Sequence, residues 1–136
     1  MLRFTGIYGP DRLLRRIESV RKQEPIRANP DGFLNLIHVD DGARIVAALA
    51  ECGRLGATYL VTDNRPVRRR EYYTLLATLV GAPAPMFQFE GADASHLNKR
   101  CTNTRLRAQL GDLLQFPTID AGLPHAITNG SALPPT

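Results

Sequence analysis

The feature that most constrains the fold is the alternation of short strand-like runs with longer helical runs. Three runs are rich in residue types that favour β-strands: 2–8 (LRFTGIY), 34–39 (LNLIHV) and 57–63 (ATYLVTD). Each is followed by apolar residues at helical spacing, within 11–22, 40–52 and 64–81. Strands that alternate with helices are typical of an α/β protein whose strands pair in parallel.

Capping residues predict where two of these helices begin and end. Asp40 or Asp41 suits the N-cap of the second helix, because a carboxylate accepts hydrogen bonds from the free amides of the first turn. Pro66 suits the first turn of the third helix, where its missing N–H is not needed, and Gly81 closes that helix.

The remainder of the chain carries smaller elements. The run 103–111 predicts a short helix with Asn103 as its cap and Gly111 as its stop. A last strand end and helix are predicted within 116–127. We therefore expect one domain over 1–128, followed by a flexible tail over 129–136.

The composition argues against nucleic acid as a partner. The chain has 136 residues and a net charge of +4, and the excess positive charge is mostly arginine. Aromatic residues make up 7% and Trp is absent, so a platform for stacking bases is poorly supplied. Solvated helix faces, or contacts with an anionic small molecule, explain the arginines more simply.

The chain has no sequence signal for a membrane or for secretion. No apolar run approaches the length that spans a bilayer, and the first residues lack the pattern of a secretory signal. Cys52 and Cys101 lie far apart without metal-ligand spacing, which is typical of reduced thiols in a cytosol. We therefore predict a cytoplasmic protein that does not bind membranes.

The run GIYGPDR lies between a strand and a helix, where phosphate-binding loops occur. Gly6 and Gly9 have the spacing of the last two glycines in a dinucleotide motif, but Arg12 stands where a further glycine is needed. Pro10 lacks an amide N–H, and Asp11 brings negative charge to the start of the helix. The run favours a tight turn that lines a pocket over a phosphate loop.

The run IHVDD raises the possibility of a metal site. His38 and Asp40 share one face of a strand, but nothing near them in sequence completes a site, so helix capping by the aspartates is the favoured reading and no metal is predicted. The chain has no Gly-x-Ser-x-Gly elbow and no Tyr followed four residues later by Lys. We therefore predict no catalytic residue within this chain.

Five runs, taken in order, resemble a known family. They are RFTGIYGPDR, NLIHVDDGARIVAALAE, TYLVTDNRPVRRREYYTLLATLVGAP, KRCTNTRLRAQLG and FPTIDAGLPHAI. As a set they resemble the C-terminal half of extended short-chain dehydrogenases/reductases, the NAD-dependent epimerase/dehydratase family. Within the family, the chain looks most like the small nucleoside-diphosphate-sugar-epimerase-like oxidoreductases of the YeeZ type. The resemblance covers nearly the whole chain.

The resemblance implies a fold and a set of site residues. The expected fold is the end of a Rossmann-like sheet joined to the small C-terminal substrate-binding lobe. The resemblance implies that the turn residues Gly6, Tyr8, Gly9 and Pro10 bind the cofactor. It also implies that Arg12, Asn35 and His38 bind the substrate. Relatives commonly have Gly where Asp11 stands, which changes the local charge of the loop.

The resemblance also implies a function. In the family, the dinucleotide glycine motif and the Tyr-x-x-x-Lys pair precede the IYGP strand, and this chain contains neither. We expect a substrate-binding C-terminal fragment of an NAD(P)-dependent oxidoreductase that acts on nucleotide-sugar-like molecules. We expect it to be inactive alone, to bind NAD or NADP only weakly alone, and to need an N-terminal half or a second copy. The alternative is a non-catalytic binding or interaction module that pairs with a partner chain.

Overall fold

The observed elements follow the predicted alternation of strands and helices. The computed structural model describes residues 1–91 and 98–130. Its helices are α1 (Leu14–Arg21), α2 (Val39–Cys52), α3 (Arg69–Leu79), α4 (Thr104–Leu110) and α5 (Ile119–Thr128). Its strands are β1 (Leu2–Phe4), β2 (Gly6–Tyr8), β3 (Phe33–Leu34), β4 (Leu36–His38), β5 (Tyr59–Val61) and β6 (Val67–Arg68).

Two strand pairs are parallel, which confirms the predicted α/β class. β1 runs beside β5 with Leu2 opposite Tyr59. β2 runs beside β4 with Tyr8 opposite His38. The single strand predicted over 2–8 is therefore two short strands, because its two halves use different partners.

These two partners lie on opposite edges of the segment 2–8. Thr5 N donates to Val61 O at 3.2 Å, whereas Gly6 N donates to Asn35 O at 3.0 Å. Backbone groups of successive residues in a strand point to opposite edges. The segment 2–8 therefore pairs with β5 at one edge up to Thr5, and with β4 at the other edge from Gly6 onward.

The third helix begins later in the chain than predicted. The cause is an antiparallel strand pair that the sequence pattern did not predict. β3 pairs with β6, with Phe33 opposite Arg68. This pairing holds 67–68 in an extended conformation, and α3 begins only at Arg69. The prediction that Pro66 lies in the first turn of the helix is wrong for this reason.

Helix α2 begins with a cap that differs from the prediction. Its N-cap is His38, whose side chain accepts a hydrogen bond from Asp40 N at 3.1 Å. Asp41 is fully buried, and its two carboxylate oxygens accept the N–H groups of Gln115 and Phe116, each at 2.8 Å. Asp40 or Asp41 as the N-cap is therefore wrong, because the last strand residue reaches the free amide and Asp41 holds a distant segment.

The predicted helix stops are confirmed. Gly81 and Gly111 follow α3 and α4 with φ of 68° and 69°, a left-handed conformation that glycine adopts without steric cost. Asn103 occupies the N-cap position of α4 but makes no capping hydrogen bond. Its amide donates instead to Thr62 O at 3.1 Å and to Asn64 Oδ1 at 2.8 Å, which ties α4 to the chain that follows β5.

Two apolar clusters form the core. The first packs α1, α3 and α5 around the end of β2, through Tyr8, Leu13, Ile17, Val20, Leu36, Val67, Tyr72, Leu76, Ala77, Val80, Ile119, Leu123 and Ala126. The second packs α2 and α4 against β4 and β5, through Ile37, Ile45, Leu49, Tyr59, Val61 and Leu106. The carboxyl ends of β2 and β4 lie where these clusters meet.

No described helix combines the length and the apolar character that a membrane span requires. The domain boundary at 128 stays a prediction. Positions 131–136 of the predicted tail lie outside the described residues.

Candidate functional site

Polar side chains converge at the carboxyl ends of the parallel strands. Tyr8 ends β2, His38 ends β4, and Asp63 follows β5 by two residues. All three are buried, with exposed fractions of 2%, 0% and 1%. Open α/β sheets bind their ligands at the carboxyl ends of their strands. We call Tyr8, His38, Asp63 and the side chains packed on them the strand-end cluster.

His38 is the centre of the strand-end cluster. Its ring stacks on Phe116 at 4.1 Å between centroids and meets Tyr8 edge-on at 5.3 Å. Its Nε2 lies 3.2 Å from Nδ1 of His125 in α5, while its Nδ1 accepts from Asp40 N. An Nδ1 that accepts leaves the proton of the neutral ring on Nε2, which then donates to His125.

Burial lowers the pKa of His38, and the neighbouring imidazole of His125 acts in the same direction. The nearby carboxylate of Asp40 opposes this shift more weakly than burial favours it. His38 is therefore a neutral imidazole at physiological pH. It serves as a cap and a packing group, and its remaining proton is directed at His125.

Asp63 is a buried carboxyl group with one unsatisfied oxygen. Its Oδ1 accepts from Arg65 N at 3.0 Å, while its Oδ2 has no hydrogen-bond partner among the described residues. Burial raises the pKa of Asp63 to about 7. The group therefore exchanges its proton near neutral pH, which is the range that general acids and bases require.

The phenol of Tyr8 is the second unsatisfied group of the strand-end cluster. Its oxygen has no hydrogen-bond partner among the described residues. Burial raises the pKa of Tyr8, and the charge of Asp63 raises it further. Helix α5 closes over this ring: a Cβ added at Gly122 would lie 1.7 Å from the Tyr8 hydroxyl. Only glycine fits at that position of α5.

The predicted tight turn after β2 is confirmed. Arg12 N donates to Gly9 O at 3.2 Å, so 9–12 form a closed turn at the start of α1. A Cβ added at Gly9 would lie 2.4 Å from Cγ1 of Val39, so the turn packs directly on the start of α2. Arg12 is exposed on this turn, four residues after Tyr8.

The remaining predicted site residues lie apart from the turn. Gly6 is at the start of β2, where an added Cβ would lie 3.1 Å from Leu36 Cδ2. Asn35 precedes β4 by one residue, and its side chain accepts from Cys101 N at 2.7 Å and donates to Lys99 O at 2.8 Å. It lies three residues, about 10 Å at the rise of a strand, from His38. Asn35 therefore holds the segment 99–101 rather than joining the strand-end cluster.

Three members of the strand-end cluster were missed by sequence reasoning. Asp63 carries a local signal, since it directly follows a predicted strand in the run TYLVTD. Phe116 and His125 carry none, because their contacts with His38 cross 78 and 87 positions of the chain. Only the fold brings these rings together.

His38, Asp40 and His125 form a group with metal-ligating chemistry. One ligand atom from each lies within 4.8 Å of the others. Both ring nitrogens of His38 are already engaged, Nδ1 by Asp40 N and Nε2 by His125. The hydrogen bonds account for this arrangement without an ion, and we assign it no metal.

A separate surface cavity of about 290 Å³ lies between α1 and the segment 84–86. Its lining includes Arg15, Arg16, Arg27 and Tyr73. It shares no residue with the strand-end cluster or with the turn 9–12.

The fold and the sequence are similar to proteins of one family. No protein-family model matches the chain. It is 34% identical over 96 residues to short-chain dehydrogenase/reductase family 42E member 1 of Danio rerio, a match that covers 62% of this chain and 25% of that protein. A functionally unknown conserved protein from Silicibacter pomeroyi has a TM-score of 0.79 and 28% identity, covering 96% of this chain and 49% of that one. The UDP-glucose 4-epimerase of Thermotoga maritima, solved with UDP-glucose, has a TM-score of 0.76 and 17% identity, covering 94% and 44%.

The resemblance to the short-chain dehydrogenases/reductases is confirmed. The structural neighbours include an NAD-dependent epimerase/dehydratase of Methylobacillus flagellatus, with 30% identity and a TM-score of 0.64. The chain spans a quarter of the curated relative and about half of each solved structure that it matches. This coverage is consistent with a C-terminal portion of an extended short-chain dehydrogenase/reductase.

Proposed function

We propose that this chain is the substrate-binding C-terminal half of an NAD(P)-dependent oxidoreductase of the epimerase/dehydratase type. The observation that carries the proposal is the strand-end cluster, which lies where α/β folds bind ligands and contains a carboxyl group with a pKa of about 7. The turn 9–12 directly follows Tyr8 of this cluster, and its last two residues, Asp11 and Arg12, are exposed. The proposed reaction class is that of the epimerases and dehydratases whose folds are similar to this one.

We propose that this chain makes few of the contacts that hold the cofactor. Structures of similar fold hold NADPH, in RMD from Pseudomonas aeruginosa, and NAD, in dTDP-glucose 4,6-dehydratase from Bacillus anthracis. Here the turn offers no pyrophosphate cradle, because Pro10 has no amide N–H and Asp11 adds negative charge. We propose that a nicotinamide cofactor, which would supply the hydride acceptor, is held mainly by another half. The chain alone is then inactive.

We propose a nucleotide-sugar-like substrate on the basis of the Thermotoga epimerase, whose structure contains UDP-glucose. Arg12 is the group proposed to meet the anionic part of such a substrate, because guanidinium groups pair with phosphates and its side chain is exposed on the turn. His38 is proposed to shape the site through its contact with His125. Asn35 lies apart from the strand-end cluster and is proposed to act on the substrate side only indirectly, by holding the segment 99–101.

The test is a titration of the isotope-labelled chain with UDP-glucose, followed by NMR of the backbone amides. We expect the signals of 9–12 to shift and Arg12→Ala to weaken binding at least tenfold. Arg54→Ala, which removes an exposed guanidinium from a distant loop, serves as the matched control. No shift at 9–12, or equal losses in both variants, would contradict the proposed substrate side.

A second titration uses NAD and follows nicotinamide absorbance with UDP-glucose present. We expect weak cofactor binding and no turnover by the chain alone. Steady turnover by the purified chain would show that no second half is needed, and would overturn the proposal of a half-site.

A non-catalytic interaction module is the alternative function. The observation that favours it is the exposure of large apolar side chains near β1, at Phe4 and Val46. Such a module would bind its partner without any ligand at the strand-end cluster.

A further inference from the structure

A chain of hydrogen bonds runs from the start of α2 to α5 through two histidine rings. The backbone N–H of Asp40 donates to Nδ1 of His38 at 3.1 Å. Nε2 of His38 lies 3.2 Å from Nδ1 of His125. The ring of Phe116 packs on both imidazoles, with 4.1 Å between centroids to His38 and 4.5 Å to His125. The placement of the two imidazoles is thus fixed by α2, by α5 and by Phe116.

The direction of this hydrogen-bond chain is set by a group that cannot change its role. A backbone N–H is always a donor, so Nδ1 of His38 must carry a lone pair. The proton of the neutral ring is then on Nε2, which makes Nδ1 of His125 the acceptor. The proton of a neutral His125 is therefore on its own Nε2. Each ring has only one tautomer that satisfies the chain.

A further proton has no place within this arrangement. On Nδ1 of His125 it would face the N–H of His38, and on Nδ1 of His38 it would face the N–H of Asp40. Two donors at this distance repel each other, and a buried donor without an acceptor is unfavourable. The amide of Asp40 belongs to the first turn of α2 and His38 is fully buried, whereas His125 is half-buried on α5. His125 is therefore the ring that can move.

We infer that His38 and His125 form a pH-sensitive latch, which closes the strand-end cluster while both rings are neutral and opens when His125 gains a proton. We call these two rings the histidine latch. In the open state the side chain of His125 turns toward solvent, and the N–H of His38 and the ring of Phe116 become accessible to water. The helix itself stays in place, because Ile119 and Leu123 of α5 are fully buried in the first apolar cluster.

The charged groups around His38 leave it neutral. On α2, the carboxylate of Asp40 lies 3.9 Å from Nδ1 of His38 and is half exposed. The carboxylate of Asp41 already accepts from Arg44 and from two backbone N–H groups. On β2, the ring of Tyr8 meets His38 edge-on. Burial lowers the pKa of His38 and outweighs the two carboxylates, so His38 is the neutral member of the latch.

Two more carboxyl groups of this region act on Tyr8. Burial raises the pKa of Tyr8, and the charges of Asp63 and Asp120 add to that shift. Asp120 of α5 also pairs with Arg65 at 2.9 Å. Because Asp63 exchanges its own proton near neutral pH, an experiment that varies pH has to separate Asp63 from the histidine latch.

The first measurement is the protonation of each ring nitrogen, by nitrogen-15 NMR of the labelled 136-residue chain. Spectra at about pH 7.5 and about pH 5.5 lie on either side of the ordinary histidine value of about 6.5. At the higher pH we expect both rings to be protonated on Nε2 alone. At the lower pH we expect His125 to carry protons on both nitrogens while His38 keeps its neutral tautomer. Spectra that change when a metal chelator is added would overturn the latch, because a metal ion would then hold the rings.

The second measurement is the accessibility of the strand-end cluster to a soluble paramagnetic chelate. We expect relaxation of the Phe116 ring protons to increase roughly threefold or more from the higher to the lower pH, since a local opening exposes that ring. Ile45, fully buried in the second apolar cluster, is the internal control and should not change. Asp63→Asn should show the same increase as wild type. If the increase disappears in Asp63→Asn, that carboxyl group controls the opening and the histidine latch is wrong.

Two substitutions at position 125 separate the charge of the ring from its shape. His125→Asn keeps an acceptor but cannot take a proton, so we expect Phe116 to stay shielded at both pH values. His125→Lys places a permanent donor there, so we expect Phe116 to be exposed already at about pH 7.5. Circular dichroism reports whether each variant folds. The Lys variant also decides the question at neutral pH if the wild-type chain unfolds at the lower pH.

Three outcomes would overturn the histidine latch. They are a pH-dependent exposure of Phe116 in His125→Asn, a shielded Phe116 in folded His125→Lys, and a shielded Phe116 in wild type whose His125 is doubly protonated. None of these measurements contains a nucleotide sugar or a nicotinamide. The latch can therefore fail while the proposed function holds, and the reverse.

Discussion

The two ends of the segment 2–8 depart in different ways from the usual rule that polar groups are exposed and apolar groups are buried. One end has buried polar groups, and the other has exposed apolar groups. At its carboxyl end, Tyr8 lies among polar groups that are almost fully buried, His38 and Asp63. At its amino end, Phe4 lies over Gly42 of α2, and Phe4 and Val46, one helical turn after Gly42, are each more than a third exposed. Buried polar groups and exposed apolar groups are the informative exceptions in a folded protein.

The difference between these regions is in what completes them. The strand-end cluster is closed from within the chain, by His125 of α5 and by Phe116 just before it. Phe4 of β1 and Val46 of α2 have no such cover among the described residues. The buried polar groups at the carboxyl end are thus enclosed by distant parts of the same chain, whereas the apolar groups at the amino end stay exposed.

The largest expected effect is the loss of the His38 ring. We expect His38→Ala to lower the free energy of unfolding by about 4 kcal/mol, because it removes a buried ring packed on Phe116 and the cap of α2. Urea denaturation followed by circular dichroism measures the change. His125→Ala, at a half-buried position, should cost less than half as much. Equal losses of free energy of unfolding in the two variants would contradict the interpretation that the strand-end cluster is centred on His38.

The second prediction concerns pH and the Asp63 carboxyl group. Its pKa is about 7 in the folded chain and near 3.8 in the unfolded chain, so the folded state holds the proton more tightly. Its contribution favours folding at low pH and is lost as pH rises from about 4 to 7, by up to about 4 kcal/mol at roughly 1.4 kcal/mol per pKa unit. Asp63→Asn should therefore gain stability over wild type across this window, and the gain should level off above pH 7.

The difference between Asp63→Asn and wild type isolates this group from His38, which acts in the opposite direction. The lowered pKa of His38 means that its contribution is present above about 6.5, the value of an unfolded histidine, and is lost as pH falls below it. If the difference in the free energy of unfolding between Asp63→Asn and wild type stays constant from pH 4 to 7, the raised pKa of Asp63 is refuted.

The third prediction compares two adjacent aspartates at the start of α2. Asp41→Asn should cost about 3 kcal/mol, because it disrupts the buried carboxylate that accepts from Gln115 and Phe116. Asp40→Asn should change stability by less than about 0.5 kcal/mol, because that side chain is half exposed. Thermal unfolding of both variants tests this, and similar losses would show that Asp41 does not hold the segment 115–116 against α2.

The smallest expected effect is among the exposed apolar groups, at Val46. Val46→Ser should change the free energy of unfolding by less than about 0.5 kcal/mol, since the side chain is 43% exposed in the chain alone. Chemical denaturation measures it. A loss above about 1.5 kcal/mol would mean that Val46 supports this fold directly, and would weaken the contrast with the strand-end cluster.

Much of the architecture follows from local sequence patterns. The three strand-like runs and the apolar spacing of α2 and α3 depend only on residues that are near one another in the chain, so periodicity finds them. The stops at Gly81 and Gly111 follow from the left-handed conformation that glycine permits. The site was only partly accessible: the turn 9–12 and the position of His38 were predicted, whereas the proton-holding Asp63 and the rings packed on His38 were not.

The sequence by itself determined the alternation of strands and helices and the tight turn after β2, because each of these depends on neighbouring residues, and the alternation in turn favoured parallel pairing. Only the tertiary structure decided that Thr5 and Gly6 face different strands, that Asp41 binds a segment more than 70 residues away, and that Asp63 is buried enough to hold a proton near neutral pH. Edge pairing, burial and a shifted pKa depend on which distant groups exclude water from a site, and no local pattern carries that information.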